Sequence, residues 1–255
     1  METKPNLFPV LRYVDAPAAI TFLVNAFGFT VKGDHRLPDG AVAHADLAFG
    51  SSGVGVSSLR ASTPDTPWAR VRHGLYVVVD DPDAYYERAR SAGADIATPI
   101  VDQPYGSREF GLRDPEGNLW GFGTYDMARG NGAPTIFPEV LYRHAMSAVE
   151  WLEQAIGFRR SLLVPEKGGG IKHAEMRLGD GVVFVGNAAE SGDFRGLTHF
   201  SNLHVPDPDA HFARAKAAGA KIVMEPQMSP FGARFYAARD PEGFLWWVST
   251  YEPAK

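Results

Sequence analysis

Short apolar runs alternate along this chain with stretches whose apolar residues recur every three or four positions. The runs "FPVLRYV" from Phe8 and "HGLYVVVDD" from His73 predict strands. Each leads into a predicted helix, marked by Ile20, Leu23 and Phe27 in one and by Ala84, Ala89 and Ala92 in the other. Asp15 and Asp80–Pro82 supply the N-terminal signals, and Gly28 and Gly93 the stops. Three further strands follow before the pattern returns. The unit is strand–helix–strand–strand–strand, and it occurs four times. At about 55–60 residues it is too small to bury both faces of its own sheet, so the units should pair.

The pairing has a larger period. "RDPEGNLWGFGTY" (Arg113 to Tyr125) returns 126 residues later as "RDPEGFLWWVSTY" (Arg239 to Tyr251). "DDPDAYYERARSAGA" from Asp80 matches "PDPDAHFARAKAAGA" from Pro206 at the same offset. "AAITFLVNAFGF" (Ala18 to Phe29) matches "SAVEWLEQAIGF" (Ser147 to Phe158), and "AVAHADLAFG" matches "GIKHAEMRLG", both 129 residues on. The chain is therefore a duplication. "DMARGNGAPT", Asp126 to Thr135, has Gly, Pro and Asn without periodicity and reads as a linker. The expected boundaries are 1–127 for the first domain, 128–134 for the linker and 135–255 for the second domain. The RDPEG segments are hairpin turns, with Pro and Gly at the corners.

Composition narrows the function classes. Of 255 residues 45% are hydrophobic and 22% charged, an ordinary globular balance. A net charge of −5 offers no broad basic surface for nucleic acid or anionic lipid. With no cysteine, disulfides, thiolate metal sites and a cysteine nucleophile are excluded, and a reducing cytoplasm is the expected setting. "METKPNLFPV" lacks the pattern of a signal peptide, and no apolar stretch reaches membrane-spanning length. No phosphate-binding glycine loop, serine nucleophile elbow or redox cysteine pair occurs.

The "RDPEGxLW" hairpins, the "D-P-D-A…A-G-A" helices and the "A-F-G-F" and "A-I-G-F" helix ends together resemble the vicinal oxygen chelate superfamily. That group contains glyoxalase I, extradiol dioxygenases and bleomycin-resistance proteins. The resemblance runs over almost the whole chain, twice. It implies an α+β fold of four βαβββ units forming two cup-shaped mixed sheets with helices outside. Family enzymes chelate a divalent metal from strand positions that would fall here on Phe8, Gly74 and Gly121, and on Phe137, Phe200 and Trp247. Phenylalanine, glycine and tryptophan donate no lone pair to a metal. No metal and no cofactor are therefore expected, and a divalent ion would need atypical ligands.

Candidate functional residues follow from the differences between the copies. His44 and His173 stand at equivalent positions, as a duplicated site or as structural histidines bonding to a neighbouring strand. Arg108 and Arg234 are equivalent candidates for anchoring an anionic ligand. Trp120, Trp246 and Trp247 lie on the closing strands; of the adjacent pair one must face the cup and the other the helix layer or a partner domain. Arg113 and Arg239 should cap their own hairpins through Asp114 and Asp240. Only the second copy carries Glu139, Asn202 and His204 on presumed inward faces. Glu139 and His204 could meet there, as an acid/base pair or as an incidental polar pair near a rim.

Three readings of function result, the last of them a structural or regulatory module in which duplication only replaces dimerisation. In the first, each cup, or one of them, binds a small aromatic or amphipathic molecule without metal, as in the sequestration of an antibiotic or metabolite, and the second cup is expected to matter more. In the second, it is a lyase, isomerase or dioxygenase that uses Glu139 and His204 or an atypical metal site. Either way the partner is a small molecule, with no nucleic acid and no membrane, and the protein is a monomer or homodimer.

Overall fold

The computed structural model describes residues 5–59, 73–113, 117, 119–125, 132–166, 170–191, 195–239, 243 and 245–251. The first half runs β1 (Leu7–Tyr13), α1 (Ala16–Phe22), β2 (Thr30–Arg36), β3 (Val42–Phe49) and β4 (Ser52–Ser58), then β5 (His73–Val78), α2 (Pro82–Ser91), β6 (Asp95–Asp102), β7 (Arg108–Arg113) and β8 (Leu119–Gly123). The second half repeats it as β9 (Ile136–Tyr142), α3 (Ala145–Trp151), β10 (Arg159–Pro165), β11 (Ile171–Leu178) and β12 (Gly181–Asn187), then β13 (His199–His204), α4 (Pro208–Ala217), β14 (Lys221–Met228), β15 (Arg234–Arg239) and β16 (Leu245–Ser249).

The units pair within each half. One sheet has the order β2-β3-β4-β1-β5-β8-β7-β6, the other β10-β11-β12-β9-β13-β16-β15-β14. At the centre of each, the opening strands of the two units run antiparallel, β1 against β5 and β9 against β13. Each opening strand also lies parallel to the last strand of its own unit. These are the expected mixed sheets, concave on one face and covered by helices on the other. No helix among the described residues is long and apolar enough to cross a membrane.

The helices begin where side chains satisfy their free amides. Asp15, Asp81 and Asp207 accept from the backbone N–H groups of Ala18, Ala84 and Ala210, each at 3.0 Å, with proline in the first turn. The periodicity that predicted one helix through Phe27 spans two kinds of turn. α1 stops at Phe22 and a π-helical turn, Leu23–Phe27, completes it; α3 is completed the same way by Leu152–Ile156. Gly28 (φ 80°) and Gly157 (φ 96°) then take the left-handed conformation that ends both.

The cores do not respect the halves. One joins Leu75, Ala89, Leu112, Trp120 and Phe122 of the first half to Val140, Val149, Leu152, Phe158 and Met176 of the second. The other joins Leu11, Ile20, Leu23, Phe27 and Val56 to Leu203, Ala215, Tyr236, Trp246 and Val248. The second unit of each half is thus sealed by the first unit of the other, with the helices between them. Hydrogen bonds lock the arrangement. Arg88 on α2 donates to the carbonyls of Glu153 (2.8 Å) and Gln154 (3.2 Å), which the end of the opposite helix leaves open. His211 on α4 lies 3.1 Å from the Phe27 carbonyl through Nε2 and 2.6 Å from the Tyr236 hydroxyl through Nδ1. Since a carbonyl only accepts, Nε2 carries the proton and Nδ1 accepts from the tyrosine. Of the expected linker, residues 128–131 lie outside the described residues. Its far end is pinned to the first sheet, Thr135 N–H donating to Ser52 Oγ at 3.0 Å.

Two outcomes follow from this locking. A Cβ on Gly28 would lie 2.7 Å from Arg214 Nη2, and the positive φ strains it further. Gly28→Ala is expected to lower unfolding free energy in urea by about 1–3 kcal/mol. Burial lowers the His211 pKa to about 4 and that of His199 to about 3. In the unfolded chain histidine takes up a proton near pH 6.5, so the folded state loses stability as pH falls below that value toward 4. The urea midpoint of the wild type should decline between pH 6.5 and 5, and His211→Gln should flatten the slope by about 1.4 kcal/mol per pH unit at most.

Candidate ligand site in the first-half cup

Strand register lays the same positions side by side in both cups, and different side chains occupy them. In the first cup Gly55, Val10 and Gly74 form one cross-strand row, and Phe8, Tyr76, Gly121 and Gly111 form the next. In the second cup the corresponding rows are Phe184, Glu139 and Phe200, then Phe137, Asn202, Trp247 and Ala237. Three glycines of the first cup are aromatic residues in the second. Those aromatics pack against aromatic neighbours. Phe137 stacks on Phe184 at 5.4 Å and Trp247 on Phe235 at 4.5 Å, with Phe137, Phe184 and Phe200 buried.

The first cup instead holds a cavity of about 620 Å³, within the range of small-molecule sites. Val10, Tyr76, Gly111 and Gly121 line its floor; His35, His44, Ser57, Thr98, Tyr105, Glu109, Tyr125 and Arg12 line its walls. Two carboxylates, Glu109 in the wall and Asp46 behind it, each hold hydrogen bonds through both oxygens. Glu109 accepts from the Tyr76 hydroxyl through Oε1 (2.9 Å) and from the Tyr105 hydroxyl through Oε2 (3.0 Å). Asp46 accepts from the Tyr125 hydroxyl at 2.9 Å through Oδ2 and meets His44 Nε2 at 2.8 Å through Oδ1. Burial first, and the Glu109 charge second, push the Tyr76 and Tyr105 phenols above their ordinary pKa, so they stay protonated donors. A Cβ on Gly123 would collide with both the Tyr76 hydroxyl and Glu109, so a glycine is required where these two meet.

The predicted site residues fall in several places. His44 is in the cavity wall. His173, its copy, packs edge-on against Phe184 with Nε2 3.8 Å from Glu175. Glu139 and Asn202 do meet, Asn202 Nδ2 donating at 3.3 Å. Burial pushes the Glu139 carboxyl up, opposed by the nearby His173 and by that hydrogen bond. Glu139 does not meet His204. Glu139 pairs with Phe200 in the register, four residues back along β13, which at ~3.3 Å per residue separates the two by about 13 Å along the strand. His204 Nδ1 lies 3.1 Å from the Tyr251 carbonyl. The two share a sheet face, as alternation required, at different heights.

Trp247 faces the second cup, while Trp246 and Trp120 turn the other way. Trp246 packs on Phe27 at 5.4 Å and Phe29 at 5.6 Å, and Trp120 on Phe158 at 5.9 Å. Both are core residues between the halves and reach neither cup. Arg108 and Arg234 are also committed elsewhere. Each makes a bidentate pair with a helix carboxylate, Arg108 with Asp83 at 2.6 and 2.7 Å and Arg234 with Asp209 at 2.9 and 2.6 Å, fastening α2 and α4 to their hairpins. Arg239 donates to the Gly243 carbonyl at 2.8 Å within its own hairpin. The expected caps Asp114 and Asp240 lie outside the described residues. Sequence reasoning missed Arg12, Tyr76, Tyr105, Glu109 and Tyr125. The signal available for the cavity was side-chain volume at inward positions, glycine in one copy against aromatic in the other.

The sequence profile described as Glyoxalase/Bleomycin resistance protein/Dioxygenase superfamily matches residues 8–122 and 139–248. The chain belongs to this superfamily. CFP32 of Mycobacterium tuberculosis, provisionally named a glyoxylase, is 26% identical over 259 residues, covering 96% of this chain and 93% of its own. The structure of a Mn(II)-bound glyoxalase from Novosphingobium aromaticivorans superposes with a TM-score of 0.69 at 14% identity, covering 100% of this chain and 85% of that one. The 2,3-dioxygenase LapB from Pseudomonas sp. KL28 gives 0.66 at 15% identity, covering 98% and 95%. At these identities the superpositions establish the fold alone.

A metal of the kind such a superfamily implies does not fit the donors present. The carried-over positions are Phe8 and two bare glycines in one cup and three aromatics in the other. Among the described residues no three of His, Asp and Glu gather so as to hold an ion.

If the second cup is core rather than binding site, truncating it should register as lost stability. Phe184→Ala is expected to lower unfolding free energy by about 3–5 kcal/mol, measured by urea denaturation followed by circular dichroism.

Proposed function

We propose that this superfamily member binds a small aromatic or amphipathic molecule in the first-half cup, with no divalent metal as anchor, and that it acts by sequestering that molecule in the cytoplasm. The observation that carries the reading is the glycine floor. Gly111 and Gly121 line a space where the second cup has Ala237 and Trp247, and Gly55 and Gly74, which flank Val10 in the register, are Phe184 and Phe200 there. A floor of bare strand backbone walled by Tyr76, Tyr105 and Tyr125 suits a flat apolar body.

An acid/base reading would centre on His44, which has Asp46 as partner and borders the cavity. It is the weaker one. The same constellation stands in the filled cup as His173, Glu175 and Tyr251, whose hydroxyl donates to Glu175. A trio kept beside a closed interior ties the chain end to the third strand of its half, a role that needs no substrate.

N-phenyl-1-naphthylamine, a neutral dye that fluoresces in apolar sites, tests the reading. Saturable binding of one equivalent is expected for the wild type. Gly121→Trp, which copies the second cup, and Tyr76→Ala should each weaken it tenfold or more, about 1.4 kcal/mol, while His204→Ala should not. Circular dichroism and thermal unfolding check that each variant is folded. Binding that survives Gly121→Trp in folded protein would place the dye elsewhere and end the proposal.

A further inference from the structure

Arg12 stands apart from every other charged group around the cavity. It lies on the inward face of β1, opposite Ser57 in the register, and lines the wall. Its Nε is buried with no hydrogen-bond partner, and no ion pair or hydrogen bond to it is found among the described residues. Burial lowers its pKa, and no neighbouring anion among the described residues offsets the effect. Neither nearby carboxylate pairs with it among the described residues: Glu109 in the wall keeps its charge while accepting from two tyrosine hydroxyls, and Asp46 accepts from Tyr125 and meets His44. The remaining ionisable cavity groups, His35 and His44, add no negative charge. A guanidinium kept in a cavity without a partner costs folding free energy, because desolvation is not returned by pairing. In the second half the same position, 129 residues on, is Leu141, part of the apolar filling. The charge therefore accompanies the open cup.

We infer that the ligand of the first cup is an organic anion, its carboxylate, sulfonate or phosphate group held by the Arg12 guanidinium and its apolar body lying on the glycine floor between the tyrosines. This rests on the binding reading above and adds the chemical class. Arginine suits the task because its fixed fork of N–H donors matches two oxygens of such a group at once. The same cavity would discriminate against carboxamide and alcohol analogues of its ligand, since they leave the guanidinium desolvated and unpaired.

The experiment compares two dyes with nearly the same aromatic body, 8-anilinonaphthalene-1-sulfonate and the neutral N-phenyl-1-naphthylamine, on the whole chain. The wild type should bind the sulfonate at least tenfold more tightly than the neutral dye. In Arg12→Leu, which borrows the residue of the other half, the ratio of the two affinities should fall to near one, and in Arg12→Lys it should lie between. Gly121→Trp should abolish both. An affinity ratio near one in the wild type, or a tenfold preference that persists in Arg12→Leu, overturns the inference while leaving the cavity reading intact. Failure of both dyes to bind, or indifference of both to Gly121→Trp, overturns the two together. Arg12→Gln, read the same way, stands in should Arg12→Leu fail to fold.

Discussion

The structure depends on an exchange. Each eight-stranded sheet leaves an apolar convex face, and neither half covers its own. The second unit of one half is sealed by the first unit of the other, so Trp120 is buried against Phe158, and Trp246 against Phe27 and Phe29. The exchange is fixed where helices end. A helix terminus leaves carbonyls without donors, and here the missing donors come from the opposite half, Arg88 in one direction and His211 in the other. The glycines of the "A-F-G-F" and "A-I-G-F" segments serve both demands. They take the left-handed turn, and they leave room for arginine to approach within about 3 Å of where a Cβ would be.

With the convex faces committed to one another, the concave faces became free to diverge. The backbone is the same in both cups, and so are the His–carboxylate–Tyr trios at their edges. What differs is volume along two cross-strand rows. Phenylalanine and tryptophan in the second cup stack on aromatic neighbours, adding apolar burial to that half. Glycine in the first cup leaves a space whose walls are tyrosines that hold their hydroxyl protons.

Much of this was legible in the chain. The 126- and 129-residue offsets gave the duplication, alternation gave the strands and their inward faces, and Asp–Pro signals gave three of the helix starts. The fold followed because repeat and periodicity are local properties. The exchange was not legible, because an apolar helix face does not say which sheet will cover it. The register was not legible either. Alternation put Glu139 and His204 on one face, but their height depends on how β9 slides against β13, and that is set by partners distant in sequence. The candidate site was sought where polar residues had been gained. The cavity lies where the first copy has glycine and the second has bulk, and Arg108 and Arg234, the arginines that pattern made available, are held by Asp83 and Asp209. Arg12 lies inside the run "FPVLRYV", which pattern marks only as a strand.

The two cups also divide the energetic burden. Glycine inside a strand is destabilising by roughly 0.5–1 kcal/mol relative to alanine, so Gly55, Gly74, Gly111 and Gly121 together cost about 2–4 kcal/mol, a sizeable share of the ~5–15 kcal/mol that holds a domain folded. An unpaired, half-buried arginine adds to that. Alone, the first half would carry these costs on one sheet with an uncovered convex face. Because its helices and β5–β8 are sealed against the second half, the tightly packed aromatic interior of that half supports the open one through a shared core. The physical case for a binding site is therefore not the cavity by itself. It is that one copy of a duplicated fold has the means to close the cup, uses it, and the other retains the gap, the glycines and the charge.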